Sequence, residues 1–595
     1  MADSPAKGAS DVVEVQIKAN GSVLRDEVSV ISVRTRAEMN RIPEAIFIIA
    51  DGDVASLEFP ITDGGSLVAG TKIEIQAGYG DDNLETIYLG MIVKTRLRVG
   101  ADRPFQLEVT CRDESFRLTL DRKSAVYESM KDSDIISKVL SDAGLQRKVD
   151  STSVEHEALV RHSCTDFDFV LARAEANGLL FYASAGEANV VTPDFSESPV
   201  LTTTLGIDLF SFDGEVDARG QYSSAEAMAW SPETQQTVTG SADVEAGSEW
   251  GNQTGGALAD VGKAKAVSMA TAANLEQSSL DAYAKARQTR AALARLRGLA
   301  RFQGSAKAVL GKVLELSGLG ARFSGKGLIC GVSHRIESGD WTTETALGLN
   351  SDWLTDRRDI AAPGAAGLNA PARGLHIGKV AKVAGDPDAG QRIQIKLPLL
   401  GENAQVWARL GGIYASSGFG ALFLPEVDDE VVVAFLDQDP SNPVVLGSLY
   451  SKDRKPPIAP EEPNNTKTLV TREKLTLTFD EEKKSITIVT PAGNTGVFND
   501  DEKKVTFKDQ NGNLVELAPG GITLDSPKTI TIKAGQDVSI SSGASISATA
   551  TQDISLSGLS ISASADTSFS ASGNASTDVT SSGKLTIQGA IVMIN

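Results

Sequence analysis

The chain has 595 residues, with 57 Lys and Arg against 78 Asp and Glu, a formal charge of −21, and only 5% aromatic residues. That charge argues against nucleic-acid binding, which begins with clustered cations that displace counterions from phosphates, and no basic stripe is evident. A hydrophobic content of 41% is enough for folded cores, while no run approaches the roughly 20 apolar residues of a membrane helix.

The length is compatible with about four domains. The opening Met1-Ala-Asp-Ser-Pro5 lacks the basic and apolar parts of a Sec signal, so synthesis and folding in the cytoplasm are expected. Cys111, Cys164 and Cys330 are odd in number and far apart, which gives neither a disulfide framework nor zinc-ligand spacing.

From Val12 to about Asp356 alternating strands are mixed with a few helices, and the apolar runs Ala45 to Ala50 and, further on, Val431 to Leu436 read as buried strands. One helix is predicted from Asp134 to Ala143, with Ile135, Ile136, Val139 and Leu140 on one face and Gly144 as its stop. A second begins at Thr165-Asp-Phe-Asp168, a capping-box-like spacing, and stops at Asn177-Gly178. A third, rich in Ala, Leu and Arg, is placed from Ser279 to Arg297. The polar, Gly-rich stretch Thr237 to Ala264 reads as loop.

Ala361 to Pro371 is small-residue and proline-rich and reads as a linker. Short strands then follow closely: Ile377 to Val380, Arg392 to Leu397, Val406 to Leu410, Gly420 to Leu424, Glu430 to Leu436 and Val444 to Gly447. With turns such as Asp439-Pro440, they suggest a small barrel over Leu375 to Tyr450. Lys455-Pro-Pro-Ile-Ala-Pro460 makes a second, stiff linker.

After Thr466 the sequence repeats. Phe479-Asp-Glu-Glu-Lys-Lys-Ser-Ile486 returns as Phe498-Asn-Asp-Asp-Glu-Lys-Lys-Val505, and Gly493-Asn494 returns as Gly512-Asn513. Each unit is a strand, a charged turn and a strand. Residues 536–595 then hold 22 Ser and Thr, one aromatic (Phe569), and recurring Asp and Gly in an in-out alternation. Burial contributes about 25 cal/mol per Å², too little here to offset ordering costs of about 1 to 2 kcal/mol per residue for one chain. The alternation therefore points to several chains wound together rather than to a disordered tail. The increasingly apolar Ile591-Val-Met-Ile-Asn595 would form a blunt platform, a partner site or a self-packed axis.

Signals for chemistry are weak. Gly320-Ala-Arg-Phe-Ser-Gly-Lys326-Gly327 resembles a phosphate loop but has Gly327 where Ser or Thr must reach a metal ion, and a strand rather than a helix follows. His162 and Cys164 would share one face of a strand, with no oxyanion hole nearby to make them a nucleophilic pair. His156 and His334 read as structural. Asp386-Pro-Asp388-Ala-Gly390 is a turn that does not match a calcium loop. No catalytic residue, cofactor or metal site is expected.

The run Trp407-Ala-Arg-Leu, then Gly418-Phe419-Gly420-Ala-Leu-Phe-Leu-Pro425 through Asp439-Pro440 to Gly447-Ser-Leu-Tyr450, closely resembles the OB domain of VgrG and phage baseplate spike proteins. Asp166-Phe167 to Gly178-Leu-Leu-Phe-Tyr182, and Val332-Ser-His334 with Trp341-Thr342-Thr343-Glu, look like the hub of that family. The resemblance implies a mainly β fold with an α+β hub, an OB-fold barrel and a C-terminal intertwined, trimeric, triangular β-helix. The domains would be a two-lobed hub (1–360), linker (361–374), OB barrel (375–450), linker (451–466) and needle (467–595).

It also implies a non-enzymatic homotrimer at the tip of a contractile injection machine, adapting a hexameric tube to a threefold needle that punctures an envelope. Its partners would be a PAAR-type tip protein on Ile591, Val592, Met593, Ile594 and Asn595, inner-tube or hub-adaptor and baseplate proteins, and cargo effectors. No nucleic acid is implied, and the target membrane only on firing. The segment Gly325-Lys-Gly-Leu-Ile-Cys330 and the Trp341 run look most like spikes of extracellular injection systems, released in phage tail-like particles. A type VI secretion VgrG is the alternative, and a cell-wall-degrading enzyme or a receptor-binding fibre are further ones. No lysozyme-sized insert separates barrel from needle and no effector domain follows it, which suggests a mechanical spike whose toxin travels on other proteins.

Overall fold

The computed structural model describes residues 2–594 except 8–11, 25–27, 54, 81–82, 101–102, 232, 245–246, 248, 264–266, 272–274, 357–363, 399–400 and 402–404. The chain divides into two units, residues 1–449 and 450–595. The fold is mainly β, and among the described residues no helix is long and apolar enough to cross a membrane.

The first unit is organised by a thirteen-stranded sheet. Seven strands come from the first lobe: β1 (Val13–Ala19), β2 (Ser22–Val23), β3 (Val30–Glu38), β4 (Glu44–Ala50), β5 (Lys72–Tyr79), β6 (Glu85–Gly100) and β7 (Arg103–Arg112). Six come from the second: β8 (Leu209–Val216), β9 (Leu296–Gln303), β10 (Gly325–Glu337) and β11 (Asp340–Leu347) on the main path, and off it Val313–Ser317, which pairs with β10, and Leu201–Thr204, which pairs with Val313–Ser317. Their order is β8-β9-β11-β10-β3-β4-β7-β6-β5-β1-β2, so the β10–β3 ladder joins the two lobes. In β4 the alternation buries Ala45, Phe47 and Ile49 completely and leaves Ile46 and Ile48 half-buried, so this run is buried on one face only.

Helices α1 (Asp132–Asp142) and α2 (Asp166–Ala176) pack on each other and on two separate small sheets, Arg122–Lys131 with Glu155–Thr165 and Gln146–Val149 with Leu180–Ser184 and Glu187–Val191, burying Ile135, Ile136, Val139 and Leu140 with Phe169, Val170 and Leu171. Thr165 is the N-cap: its Oγ1 accepts from the Asp168 amide (3.0 Å), while its hydroxyl, rather than its backbone amide as in a full capping box, donates to Asp168 Oδ2 (2.7 Å). Gly144 and Gly178, both at positive φ, end the two helices.

Two stretches differ from the sequence reading. Helix α3 (Gln277–Ala294) stops short of Arg297, because Leu296, Gly298, Ala300 and Phe302 alternate into the core and carry the chain into β9. The stretch Thr237 to Ala264 is not all loop. A strand Gln236–Asp243 pairs with Ser224–Ser231, and a helix Gly255–Gly262 is capped by Thr254. At Gly240 the strand lies close against α3, leaving no room for a side chain: a Cβ there would fall 2.4 Å from the Leu280 carbonyl carbon.

The closed barrel comprises β12 (His376–Lys382), β13 (Arg392–Lys396), β14 (Gln405–Leu410), β15 (Glu430–Phe435) and β16 (Pro443–Ser448) around Val380, Ile393, Ile395, Ala408, Val431, Val433 and Val445. Gly420 to Leu424 is not one of its strands. Gly418 and Gly420, at φ +81° and +146°, instead turn the chain back so that the Ala421 amide donates to Tyr414 O (2.9 Å). The described part of the small-residue linker packs on this barrel rather than hanging free, with Ala372 N donating to Gln438 O (2.8 Å).

In the second unit seven strands form an antiparallel meander: β17 (Thr466–Val470), β18 (Thr476–Asp480), β19 (Ser485–Val489), β20 (Thr495–Asn499), β21 (Lys504–Lys508), β22 (Leu514–Ala518) and β23 (Gly521–Asp525). The 19-residue repeat is one hairpin of this meander, and the ladders here lie within the chain. Phe479, Ile486, Phe498, Val505 and Leu517 align in one row across it, while Thr478, Thr487, Thr506 and Thr523 occupy the alternate row. From Ser526 to Ile594 the described residues form no strand and no backbone–backbone hydrogen bond, and all are exposed except the half-buried Ser526.

Candidate assembly interface

The hub residues singled out by sequence fall into two separate places. Asp166, at the start of α2, is buried and receives Arg161 and the Lys123 ammonium (2.5 Å). Phe167 meets Phe181 edge-on at 5.3 Å, and Gly178 lets the chain approach α3, where a Cβ would sit 3.3 Å from Ala286 Cα. His334, Trp341 and Thr343 lie elsewhere, on the β10–β11 hairpin, with the half-buried Thr342 beside them. The Ser305 amide donates to Thr343 Oγ1 (3.0 Å), and Thr343 Oγ1 lies 2.9 Å and Trp341 Nε1 3.4 Å from His334 Nδ1. Burial lowers the His334 pKa to about 4. Both groups are packing devices that hold the lobes in shape.

The pairs considered for chemistry dissolve on inspection. His162 is exposed and Cys164 half-buried, and a bulge at Ser163 (φ +41°) interrupts the alternation that was to place them on one face. Burial pushes the Cys111 and Cys330 thiols up to about 12, away from thiolate chemistry. Asp386 and Asp388 each lie 2.6 Å from Arg392 Nη2. Lys326 of the phosphate-loop-like segment binds Glu249 at 2.7 Å. His156 Nε2 lies 3.1 Å from Asp132, a buried carboxylate also held by Arg173. Among the described residues no group of three His, Cys, Asp or Glu is placed to hold a metal ion.

An open cleft of about 1270 Å³ runs between the lobes. Three of its carboxylates face guanidinium groups: Glu38 pairs with Arg41 (2.9 Å), Glu44 with Arg112 (2.6 Å) and Glu215 with Arg297 (2.5 Å).

The exposed apolar surface lies instead on the barrel, and sequence reasoning took part of it for a strand. The loop from Gly411 to Val427 presents Ile413 (91% exposed), Tyr414, Phe419, Leu422 (80%) and Phe423 to solvent. Its signal was present in Gly418-Phe419-Gly420, an aromatic between two glycines that both require positive φ. Of the other barrel residues, Trp407 and Pro425 are half-buried. Asp439 holds the turn at Pro440 by accepting from the Ser441 amide (2.9 Å) and Asn442 Nδ2 (2.7 Å), and Gly447 lies in β16. Ile591, Val592, Met593 and Ile594 are exposed, and Asn595 lies outside the described residues.

Residues 9–338 match the Alg8 N-terminal domain, and residues 376–450 match the type VI secretion system/phage-baseplate injector OB domain. The type VI secretion system spike protein VgrG1b of Pseudomonas aeruginosa is 24% identical over 393 residues, covering 59% of this chain and 50% of that protein. The type VI spike protein VgrG3 of Vibrio cholerae is 33% identical over 72 residues, 12% of this chain and 7% of that one. The chain thus spans about half the length of the first of these relatives and a small part of the second. Among solved structures, the 43 kDa tail protein of prophage MuSo2 from Shewanella oneidensis superposes with a TM-score of 0.44 at 10% identity, covering 57% of this chain and 98% of that one. With more than half its length matched in this way, the chain belongs to the Alg8 N-terminal domain family, and its barrel match and its relatives support a VgrG and phage-baseplate spike family.

Proposed function

We propose that three copies of this chain form the puncturing spike of a contractile injection machine. Residues 1–360 act as the hub that adapts a tube to threefold symmetry, 375–450 as a collar, and 467–595 as the needle. The observation that carries this reading is the second unit. Its meander exposes an apolar row including Phe479, Ile486 and Phe498, and residues 526–594 keep their alternation with no backbone partner. Unpaired backbone and uncovered apolar rows are both satisfied when identical strands wrap around one axis. The barrel loop from Gly411 to Val427 supports the same reading, as apolar surface that neighbouring copies would cover.

In this reading the work is mechanical rather than catalytic. A PAAR-type protein seats on the Ile591–Ile594 platform, and cargo travels on other components. The hub segments favour an extracellular, phage tail-like particle. The likeness to VgrG1b supports the second reading, a type VI secretion spike. Native mass measurement on the full chain tests the proposal, with three times the 62.5 kDa chain mass expected and the needle resistant to protease. A monomer cleaved throughout residues 526–594 would overturn it.

A further inference from the structure

Between the last hub strand, β11, and the first barrel strand, β12, the chain passes through residues 350–354, a segment the sequence reading passed over. The hub grips it closely. Trp353 is 3% exposed, with the Arg287 guanidinium 3.9 Å from the centre of its ring and Tyr283 edge-on at 5.4 Å. Arg287 also donates to the Tyr283 hydroxyl (3.0 Å), which holds the guanidinium in place. Arg290 Nη2 donates to Asn350 Oδ1 (3.2 Å) and to Asp352 O (2.7 Å). The Leu354 amide donates to Glu175 Oε2 (2.7 Å), and the other oxygen of Glu175 lies 3.7 Å from Arg290 Nη1. Tyr283, Arg287 and Arg290 stand at i, i+4 and i+7, so one stripe of α3 supplies most of the grip. Glu175 comes from α2.

The barrel side of the connection is pinned as well. Ala372 N donates to Gln438 O (2.8 Å), and Gly364 sits so close to the same residue that a Cβ there would fall 2.6 Å from Gln438 Oε1. Force that travels along the chain between hub and barrel therefore enters the hub at residues 350–354. A guanidinium suits a contact under load, because it stacks on an aromatic face, keeps its charge and still donates in its own plane. Pulling the segment out breaks the stack on Trp353 and the bonds at Asn350, Asp352 and Leu354 together. It also leaves Arg290 and Glu175 in the hub without those partners, which opposes release.

Resting on the spike reading above, we infer that residues 350–354 are the load-bearing anchor between hub and barrel, with Arg287, Arg290 and Glu175 as the positioning residues that hold it.

The test uses the full chain. In native-state hydrogen exchange the peptide 349–356 should be protected, and Trp353→Ala or Arg287→Ala should each speed its exchange about tenfold. The β4 peptide Glu44–Ala50 should stay protected in both, which shows the hub still folded. Trp353→Phe keeps a ring under the guanidinium and should stay within about threefold of the parent. Load is read by pulling between Lys285→Cys on α3 and Lys379→Cys on the barrel, two exposed positions, in a Cys164→Ser chain mixed with excess unlabelled parent. Adding Arg287→Ala should lower the first rupture force by about a third or more. A native trimer in which both alanine variants exchange at the parent rate, or in which the rupture force is unchanged, overturns this inference and leaves the proposed spike standing. A monomer overturns the spike, and with it the load this anchor carries.

Discussion

His334 illustrates how a buried polar group is fixed by its donors. Trp341 Nε1 can only donate, and Thr343 Oγ1, already accepting from the Ser305 amide, is left to donate its own proton, so His334 Nδ1 must keep its lone pair. Protonation would oppose both donors in a fully buried site. The folded-state pKa of about 4 lies below the ordinary value of 6.5. Stability from this group is therefore complete above pH 6.5 and lost as pH falls toward 4, a loss of about 3 kcal/mol at most. We predict that chemical denaturation of the native chain shows this loss between pH 6.5 and 4, and that His334→Gln flattens the slope while lowering stability at pH 7. An unchanged slope in the variant would refute the assignment. The sequence marked His334 as structural, but the Ser305 amide that donates to its partner Thr343 lies 38 residues before Thr343 and became visible only once the β10–β11 hairpin and the preceding loop were in place.

Helix α2 and the Gly411–Val427 loop differ in how much of them was legible. Thr165, Asp168 and Gly178 specify their helix through contacts a few residues apart, so a local pattern was enough. The loop contains apolar residues at strand-like density, and periodicity alone assigned Gly420–Leu424 to a strand. What overrides it is backbone geometry. Gly420 has φ +146°, and a Cβ there would fall 2.6 Å from Tyr414 O. Gly420→Ala should therefore cost about 1 to 3 kcal/mol and weaken assembly while leaving the five-stranded barrel folded, read by thermal melting and native mass. An alanine variant as stable and as oligomeric as the parent would show that the loop has no such constraint. The strand Gln236–Asp243 was missed for the opposite reason: its Thr, Ser and Gly side chains carry no hydrophobic signature, because α3 packs directly against its backbone.

Across the whole molecule, the charge of −21 is unevenly placed: Lys94, Arg96 and Arg98 alternate along β6, and Asp213 and Glu215 along β8, the strand at one end of the main sheet. At the opposite end of the chain, Ile591 to Ile594 stay exposed. Replacing Ile591 and Met593 with Asp should leave the oligomeric mass unchanged and abolish capture of a PAAR-type tip protein in a pull-down. Undiminished capture would remove this platform from the proposal.

The sequence by itself determined the mainly β class, the capped helices of the hub, the barrel segment and the repeating hairpins, because these rest on periodicity, caps and turns that span a few residues. The tertiary structure alone decided that the two hub lobes share one sheet through β3 and β10, that the barrel exposes an apolar loop, and that an acidic row on β8 and a basic row on β6 lie far apart in the same sheet. Those features depend on which strands become neighbours across hundreds of residues, and hydrogen-bond pairing at that distance leaves no periodic trace in the chain.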